Sequence, residues 1–379
     1  MPSGTFHPGP TVVFVDNAQW ESFFLLAVIL RKAGIRTVRI SVGSSRWHVD
    51  QILFDRHISL LVPPTPEELA EMLSSEYVTD IQPTESMAKI AYAAVNLLPS
   101  SQRSDFWIGR SEFIDKWDVA ITLRNLGIPT PDALLAECAS PIEAVAQLSL
   151  PIVLKRRVGA AGSGVEIFNT LESLEEFVSE IDNLSEWFFE RFINGKLLVC
   201  AVCVGNEGID VMATYEILKR RKLHGSSVVV EIRHDARVSE TGRVLISAIN
   251  IRGLICFDVI RDFTGVDWVH DVNPRAFGSF ITFQQAGYDF SNAYVQYLTG
   301  GGLVQESRDN AARQKALVFP YGLMEVFRSR EHGIPWFRTL ESALRYWRLL
   351  GPRYFFSLAV RGIAYSFRMN RTHLGFRRH

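Results

Sequence analysis

The sequence predicts an α/β chain that opens with a parallel, helix-covered sheet and continues into a strand-rich α+β region. Two patterns carry this expectation. Residues 11 to about 62 alternate short apolar strands with a helix, the pattern of a parallel sheet with helices on its faces. From residue 152 onward, short strands punctuated by glycine-rich and Asn-Gly turns predominate until about 269, after which the pattern turns helical. Composition bounds the answer: 379 residues, 47% hydrophobic and 21% charged, suffice for two or three domains around a sizeable core.

Taken in order, Thr11 to Val15 reads as a buried strand, followed by a helix from Asn17 to Ala33 with Asn17 as N-cap and Gly34 as stop. Thr37 to Ser41 is a second strand. The first strand runs into Asp16-Asn17-Ala18, with no glycine-rich turn, so a dinucleotide-binding fold is not supported. Pro83 to Leu98 reads as a helix, and so does Asp115 to Leu126. In the latter, Trp117, Ile121 and Arg124 follow a helical spacing, and the run stops before Gly127-Ile-Pro-Thr-Pro131. Next come a strand (Ile152 to Lys155), a glycine-rich loop, a strand (Val165 to Phe168) and a helix (Ser173 to Ile181). Strands then prevail to Val269, and helical patterns return at Ser291 to Leu298 and after Leu323. Cys200 and Cys203 sit in the strand-like run Lys196 to Val204. Residues three apart on a strand face opposite ways, so these are buried thiols and not a metal or redox pair.

The net charge of -1 gives no reason to expect nucleic acid as a partner. Between Val326 and His379, however, there are eleven Arg against two acids, among many aromatic residues. Such a segment can lie on an anionic membrane surface. The favoured alternative is a helical layer packed on the core, its Arg stems covering apolar surface. The longest apolar runs, Phe23 to Leu30 and Tyr354 to Val360, are too short for a membrane span. The first residues lack the features of a secretory signal, so a cytoplasmic protein is expected.

The most informative stretch is Phe257 to Phe280. It reads as two strands joined at Phe263-Thr264-Gly265, with Asp258 on the first and Asp271 and Asn273 on the second. Positions 271 and 273 share a face, so one side of the hairpin carries only oxygen ligands, two of them carboxylates. That set suits Mg²⁺ (or Mn²⁺), which takes one or two carboxylates and fills its remaining sites with water and phosphate oxygens. A hairpin with merely solvated acids is the alternative, and this segment alone does not choose between them. Upstream, Lys155 ends a strand and Gly159, Gly162, Ser163 and Gly164 fill the turn that follows. Backbone N-H groups of such a turn can surround a phosphate, and the Lys adds a point charge. With the Lys before the glycines and no Gly-Lys-Ser/Thr, this is not a P-loop. Few side chains anchor residues 158 to 164, so the loop is expected to open cheaply.

Five motifs in order, Asp115-Lys116, the Lys155 strand with its glycine loop, Glu190-Arg-Phe-Ile193-Asn-Gly195, Gly225-Ser-Ser227 and Asp258 with Asp271-Val-Asn-Pro-Arg275, resemble the ATP-grasp superfamily from about Phe113 to Gly300. The resemblance implies an N-terminal Rossmann-like pre-ATP-grasp domain (1-112) and an ATP-grasp domain (113-300). The latter would divide into a lid subdomain at about 113-189, a hinge at 190-195 and a metal-site subdomain at 196-300. A basic, aromatic helical region (301-379) would follow. It further implies that Lys116 and Lys155 touch the phosphates of ATP and that the 159-164 loop closes over them. Glu190 with Arg191, Phe192 and Ile193 would hold the adenine; Asp258, Asp271 and Asn273 would hold Mg²⁺; Arg275 would stabilise the transferring phosphoryl group. The basic run Lys219 to Ser227 would face the same site, or be a solvated turn.

Two positions depart from the family pattern: Asp271 stands where Glu is usual, and Leu197 where a Glu often meets the ribose. The run Asn273-Pro-Arg-Ala-Phe-Gly-Ser-Phe280 with Gly287-Tyr-Asp-Phe290 looks like the carbamoyl-phosphate-synthetase-like group of carboxylate-amine ligases. The implied activity is ATP- and Mg²⁺-dependent ligation of a small-molecule carboxylate and an amine through an acyl phosphate. The rival readings are an ATP-grasp kinase or carboxylase without an amine acceptor, and a non-catalytic nucleotide-binding protein.

Overall fold

Four parallel strands form the first sheet: β1 (His7–Asp16), β2 (Arg36–Val42), β3 (Arg56–Leu60) and β4 (Glu76–Pro83), in the order β3-β2-β1-β4. The computed structural model describes residues 7–17, 21–43, 53–104, 110–159, 164–220, 227–249, 251–301 and 313–318, with scattered positions between 333 and 360. Helices Glu21–Lys32, Pro66–Leu73 and Glu85–Leu97 accompany the first sheet. Residues 18–20, where the first of these was expected to start behind a cap at Asn17, lie outside the described residues. Asn17 Oδ1 accepts from Ser86 Oγ at 2.9 Å, tying the end of β1 to the helix after β4. Gly34, at φ 77°, ends the helix as its sequence position suggests.

A second, antiparallel sheet contains β5 (Ala133–Leu135), β6 (Ile152–Arg156), β7 (Val165–Phe168) and β8 (Trp187–Arg191), in the order β5-β8-β6-β7. Helices Pro141–Leu148 and Leu171–Ser179 pack on it through Leu148 and Leu174. The third sheet holds β9 (Gly195–Val204), β10 (Ile209–Arg220), β11 (Ser227–Ile232), β12 (Gly253–Asp262), β13 (Asp267–Asn273) and β14 (Gln314–Leu317), in the order β13-β12-β9-β10-β11-β14. The expected run of strands to Val269 is broken by a 14-residue helix, Ala236–Ile249. It covers one face of the third sheet, where Val238 and Leu245 meet Cys200, Phe257 and Val259.

The opposite face of that sheet belongs to a larger core, in which Ala201, Cys203 and Cys256 join Phe14 and Phe23 from the first sheet and its helix. Cys200 and Cys203 therefore lie on opposite faces, both buried. Tyr346 and Leu350 of the C-terminal region are buried in the same large core, and the Tyr346 hydroxyl lies 3.3 Å from Thr282 Oγ1. These two positions are packed, whereas Leu340, Leu344, Phe356 and Val360 of the same region are exposed. Among the described residues, no helix is long and apolar enough to cross a membrane.

Gly195 starts β9 directly against β12, where it pairs with Asp262. A Cβ there would lie 2.2 Å from the carbonyl oxygen of Arg261, a backbone atom that cannot swing aside. Gly195→Ala is therefore expected to lower stability by about 1–3 kcal/mol, in the range of overpacked sites. Thermal unfolding measures it, and an unchanged Tm would contradict the close approach.

Candidate active site

The β12–β13 hairpin is held by its turn, where Asp262 Oδ1 accepts from Thr264 N and Val266 N at 2.9 Å each. Asp258 then stands opposite Asp271, and Cys256 opposite Asn273. Between these pairs and the turn the register slips: Val259 faces Val269 while the preceding Asp258 faces Asp271, so His270 is an extra residue on β13. The bulge has a consequence that simple alternation misses. Val269 and Val272, three apart, both lie in the core beneath the Ala236–Ile249 helix, and the other face is left to Asp271 and Asn273 together with Asp258.

Lys116 reaches this face from the first residue of the helix Lys116–Asn125. Asp115 caps that helix by accepting from Trp117 N at 3.0 Å, and Arg157 holds Asp115 in turn at 2.9 Å. The Lys116 amide donates to Arg157 O at 2.8 Å, so the end of β6 fixes where the helix begins. From there Lys116 Nζ donates to Asp271 Oδ2 at 2.8 Å. Lys155, on β6, forms an ion pair with Glu190 of β8, and both are buried. Glu190 also lies within electrostatic reach of Lys116 and Asp271, which brings the two lysines to one region.

The carboxylates divide their roles. Burial and the neighbouring Asp271 push Asp258 up to about 6. Burial would raise Asp271 as well, but Lys116 holds it below the usual carboxylate range. Burial, opposed by Lys155, keeps Glu190 above its ordinary value, and burial together with Lys155 drives His270 well below an ordinary imidazole. Among the described residues no three His, Cys, Asp or Glu cluster closely enough to hold a metal. The donor set is two carboxylates and the oxygen of the Asn273 amide, whose Nδ2 here donates to Asp271 Oδ2 at 3.4 Å. A crowded carboxylate pair that retains a proton near pH 6 is what a hard divalent cation would relieve, so the residues fit Mg²⁺ with waters and phosphates completing its shell.

Arg275 is held by a partner that sequence reasoning missed. Its Nε donates to Glu85 Oε1 at 2.9 Å, and its Nη2 donates to Asn273 Oδ1 at 3.1 Å. Glu85 opens the helix Glu85–Leu97 beside the first sheet, so the two sheets meet at this pair. Glu85, Tyr92, Phe113, Lys116, Asp271 and Arg275 line one pocket. A charged residue at a helix start was legible, but a partner 190 positions away was not.

The remaining expected positions fall as follows. Gly159 follows β6, and Gly164, at φ 73°, accepts from Arg156 N at 2.8 Å through its carbonyl. Gly162 and Ser163 lie outside the described residues, as do 221–226 of the basic run. Arg191 is anchored by its amide to Asp132 O at 2.8 Å, and Phe192 and Ile193 lead irregularly into Gly195. Leu197 sits opposite Ile260 on the β9–β12 pair.

Comparison with known proteins agrees with this layout. The family model described as an ATP-grasp domain matches residues 113–279. The N5-carboxyaminoimidazole ribonucleotide synthase of Synechococcus elongatus is 23% identical over 45% of this chain and 44% of its own length. The carbamoyl phosphate synthase large chain of a Thermoanaerobacter species is 23% identical over 65% of this chain but only 24% of its own. The chain thus matches less than half the length of these relatives. Among solved structures, N5-carboxyaminoimidazole synthetase from Staphylococcus aureus, complexed with ADP, superposes with a TM-score of 0.68 at 16% identity over 87% of both chains. The L-amino acid ligase of Bacillus licheniformis superposes at 0.59 with 16% identity, over 77% of this chain and 75% of that one. At such identities the structural likeness speaks for the fold. The site motifs, the sheet order and the family match thus agree on residues 113–279, a stretch of somewhat under half the chain that matches the ATP-grasp domain.

Proposed function

We propose that this protein is an ATP-dependent ligase that joins a carboxylate to an amine through an acyl phosphate. One observation carries the reading: the Lys116–Asp271 and Lys155–Glu190 ion pairs and the Asp258/Asp271/Asn273 face converge from five separate elements. Asp258, Asp271 and Asn273 would hold Mg²⁺, which would supply charge neutralisation for the nucleotide phosphates. In this reading Lys116 and Lys155 bind the phosphates, each released from its carboxylate partner. Glu190 and the backbone of residues 191 to 193 orient the adenine. Arg275 faces the phosphoryl group in transfer, and residues 159 to 164 keep water from the activated acyl group. The proposed units are a substrate-facing N-terminal part (1-112), the ATP-grasp part (113-300) and a C-terminal layer (301-379), in a cytoplasmic enzyme.

The name of the Bacillus relative, an L-amino acid ligase, supports amide formation. A biotin carboxylase also shares the fold, at a TM-score of 0.57 and 15% identity. That neighbour keeps a second reading in view, carboxylation with bicarbonate as the activated acid. Incubation of the protein with Mg²⁺-ATP and panels of carboxylates and amines, bicarbonate included, separates the readings. A ligase releases ADP and phosphate rapidly only when acid and amine are both present, and yields their amide. Repeated turnover that releases a stable phosphorylated acceptor without any amine would overturn it in favour of a kinase.

A further inference from the structure

Beneath the site lies a buried polar chain that none of the assigned roles uses. Asp80 and Gln82 alternate on β4, both fully buried. Arg110, equally buried, donates to Asp80 Oδ1 at 2.7 Å through Nη1, and its Nε donates to Arg252 O at 3.1 Å. Tyr294, from the helix Phe290–Thr299, donates its hydroxyl to Asp80 Oδ2 at 2.5 Å. The Gln82 amide nitrogen donates both to Asp80 Oδ2 at 3.1 Å and to the Tyr294 hydroxyl at 3.0 Å. Its carbonyl oxygen then accepts the Ala276 amide at 2.7 Å.

We propose that Gln82 is a positioning residue for the segment Asn273–Arg275: from the first sheet it fixes where the cation-facing amide and the phosphoryl-facing guanidinium stand. This rests on the ligase reading of the site. The direction of the Gln82 amide is forced, because a flipped amide would set its oxygen against Asp80 and its NH₂ against the Ala276 N-H. A glutamine serves where an apolar residue would pack equally well only if both of its ends are used, since a buried amide is costly unless satisfied. Here both are. Asp80, oriented by Arg110, turns one end of Gln82, and the other end grips the chain one residue after Arg275. Between them the backbone makes a tight turn, with Arg275 N donating to Asn273 O at 2.9 Å. Glu85, three residues past Gln82, holds the Arg275 side chain itself. The β4 end and the helix that follows thus seize the segment twice, once by its backbone and once by its side chain.

Gln82→Leu tests this in the full chain, with Mn²⁺ and ADP as probes. The amide exchange of Ala276 should accelerate by about tenfold or more, while that of Val269, bonded to Pro129 O, stays put. The Mn²⁺ concentration giving half the stabilisation by ADP should rise by a similar, roughly tenfold, factor, with ADP affinity at saturating Mn²⁺ nearly unchanged. Gln82→Glu provides the rescue. A neutral carboxyl can donate to Asp80 and accept from Ala276, so this variant should resemble wild type at low pH. It should lose that resemblance as pH rises through the carboxyl's raised pKa, because buried and facing Asp80 it is protonated only below that value. Should the Leu variant fail to fold, exchange at Ala276 in the Glu variant at two pH values decides the matter. Unaltered Ala276 exchange and cation requirement in the Leu variant, or a Glu variant equally impaired at every pH, would overturn the role. If the wild type shows no cation-dependent ADP binding, it is the ligase reading that fails, and Ala276 exchange alone then judges Gln82.

Discussion

Asp258→Asn and Asp271→Asn are each expected to abolish the stabilisation of the protein by Mg²⁺-nucleotide, and with it all turnover. Wild-type protein at a hundred times its dissociation constant should gain about 2.7 kcal/mol from the ligand, read as a rise in Tm. Neither variant should show that rise, because one neutral amide in place of a carboxylate leaves a hard cation a single charged ligand. Without nucleotide the two variants should part company. Asp258 is crowded by Asp271 and by burial, so its neutralisation should leave the Tm unchanged or higher. Asp271→Asn instead strips Lys116 of its partner. The cost should be about 1–2 kcal/mol, below the 3–5 typical of fully buried pairs, because the two side chains are 19% and 21% exposed. Equal stabilisation of wild type and variants by Mg²⁺-nucleotide would remove these residues from any metal site.

That asymmetry shows where sequence reading stops. Apolar runs such as Thr11 to Val15 and Ile152 to Lys155 became strands because a wholly buried strand must be apolar on both faces, a property visible in the residues alone. β3, Arg-His-Ile-Ser-Leu, was not visible, since an edge strand that is only half buried carries no such run. The helix Ala236–Ile249 was passed over because Gly242, Thr241 and its valines give weak helical preference. Tertiary packing overrides that, and Gly242 is needed where a Cβ would meet the Phe257 ring at 2.9 Å. At the site, Asp258, Asp271 and Asn273 could be grouped from local alternation. The bulge at His270 could not be read, although it is what lets both valines beside them stay in the core. Long-range partners were invisible in principle: Glu85 and Gln82 come from the other sheet, and nothing in either local pattern announces Arg275 or Ala276.

Arg275→Lys is expected to lower kcat by about 10²–10³ while changing the KM for ATP only a few-fold. The guanidinium is engaged on several edges at once, with Glu85 Oε1 on Nε, Asn273 Oδ1 on Nη2 and Ala276 O on Nη1 at 3.2 Å. A lysine ammonium is a point charge on a flexible stem and cannot hold that fork of donors in one plane. The variant should keep an ion pair with Glu85, so its fold and nucleotide binding should persist, yet it would present charge to the reacting phosphoryl group in no fixed direction. Glu85→Gln should then reproduce part of the kcat loss, because it loosens the same guanidinium without touching the nucleotide. Steady-state kinetics over a range of ATP concentrations decides the matter. A large rise in KM at constant kcat for Arg275→Lys would place this residue in ground-state binding, and the Glu85–Arg275 pair would then be a strut between two sheets and no part of the catalytic arrangement.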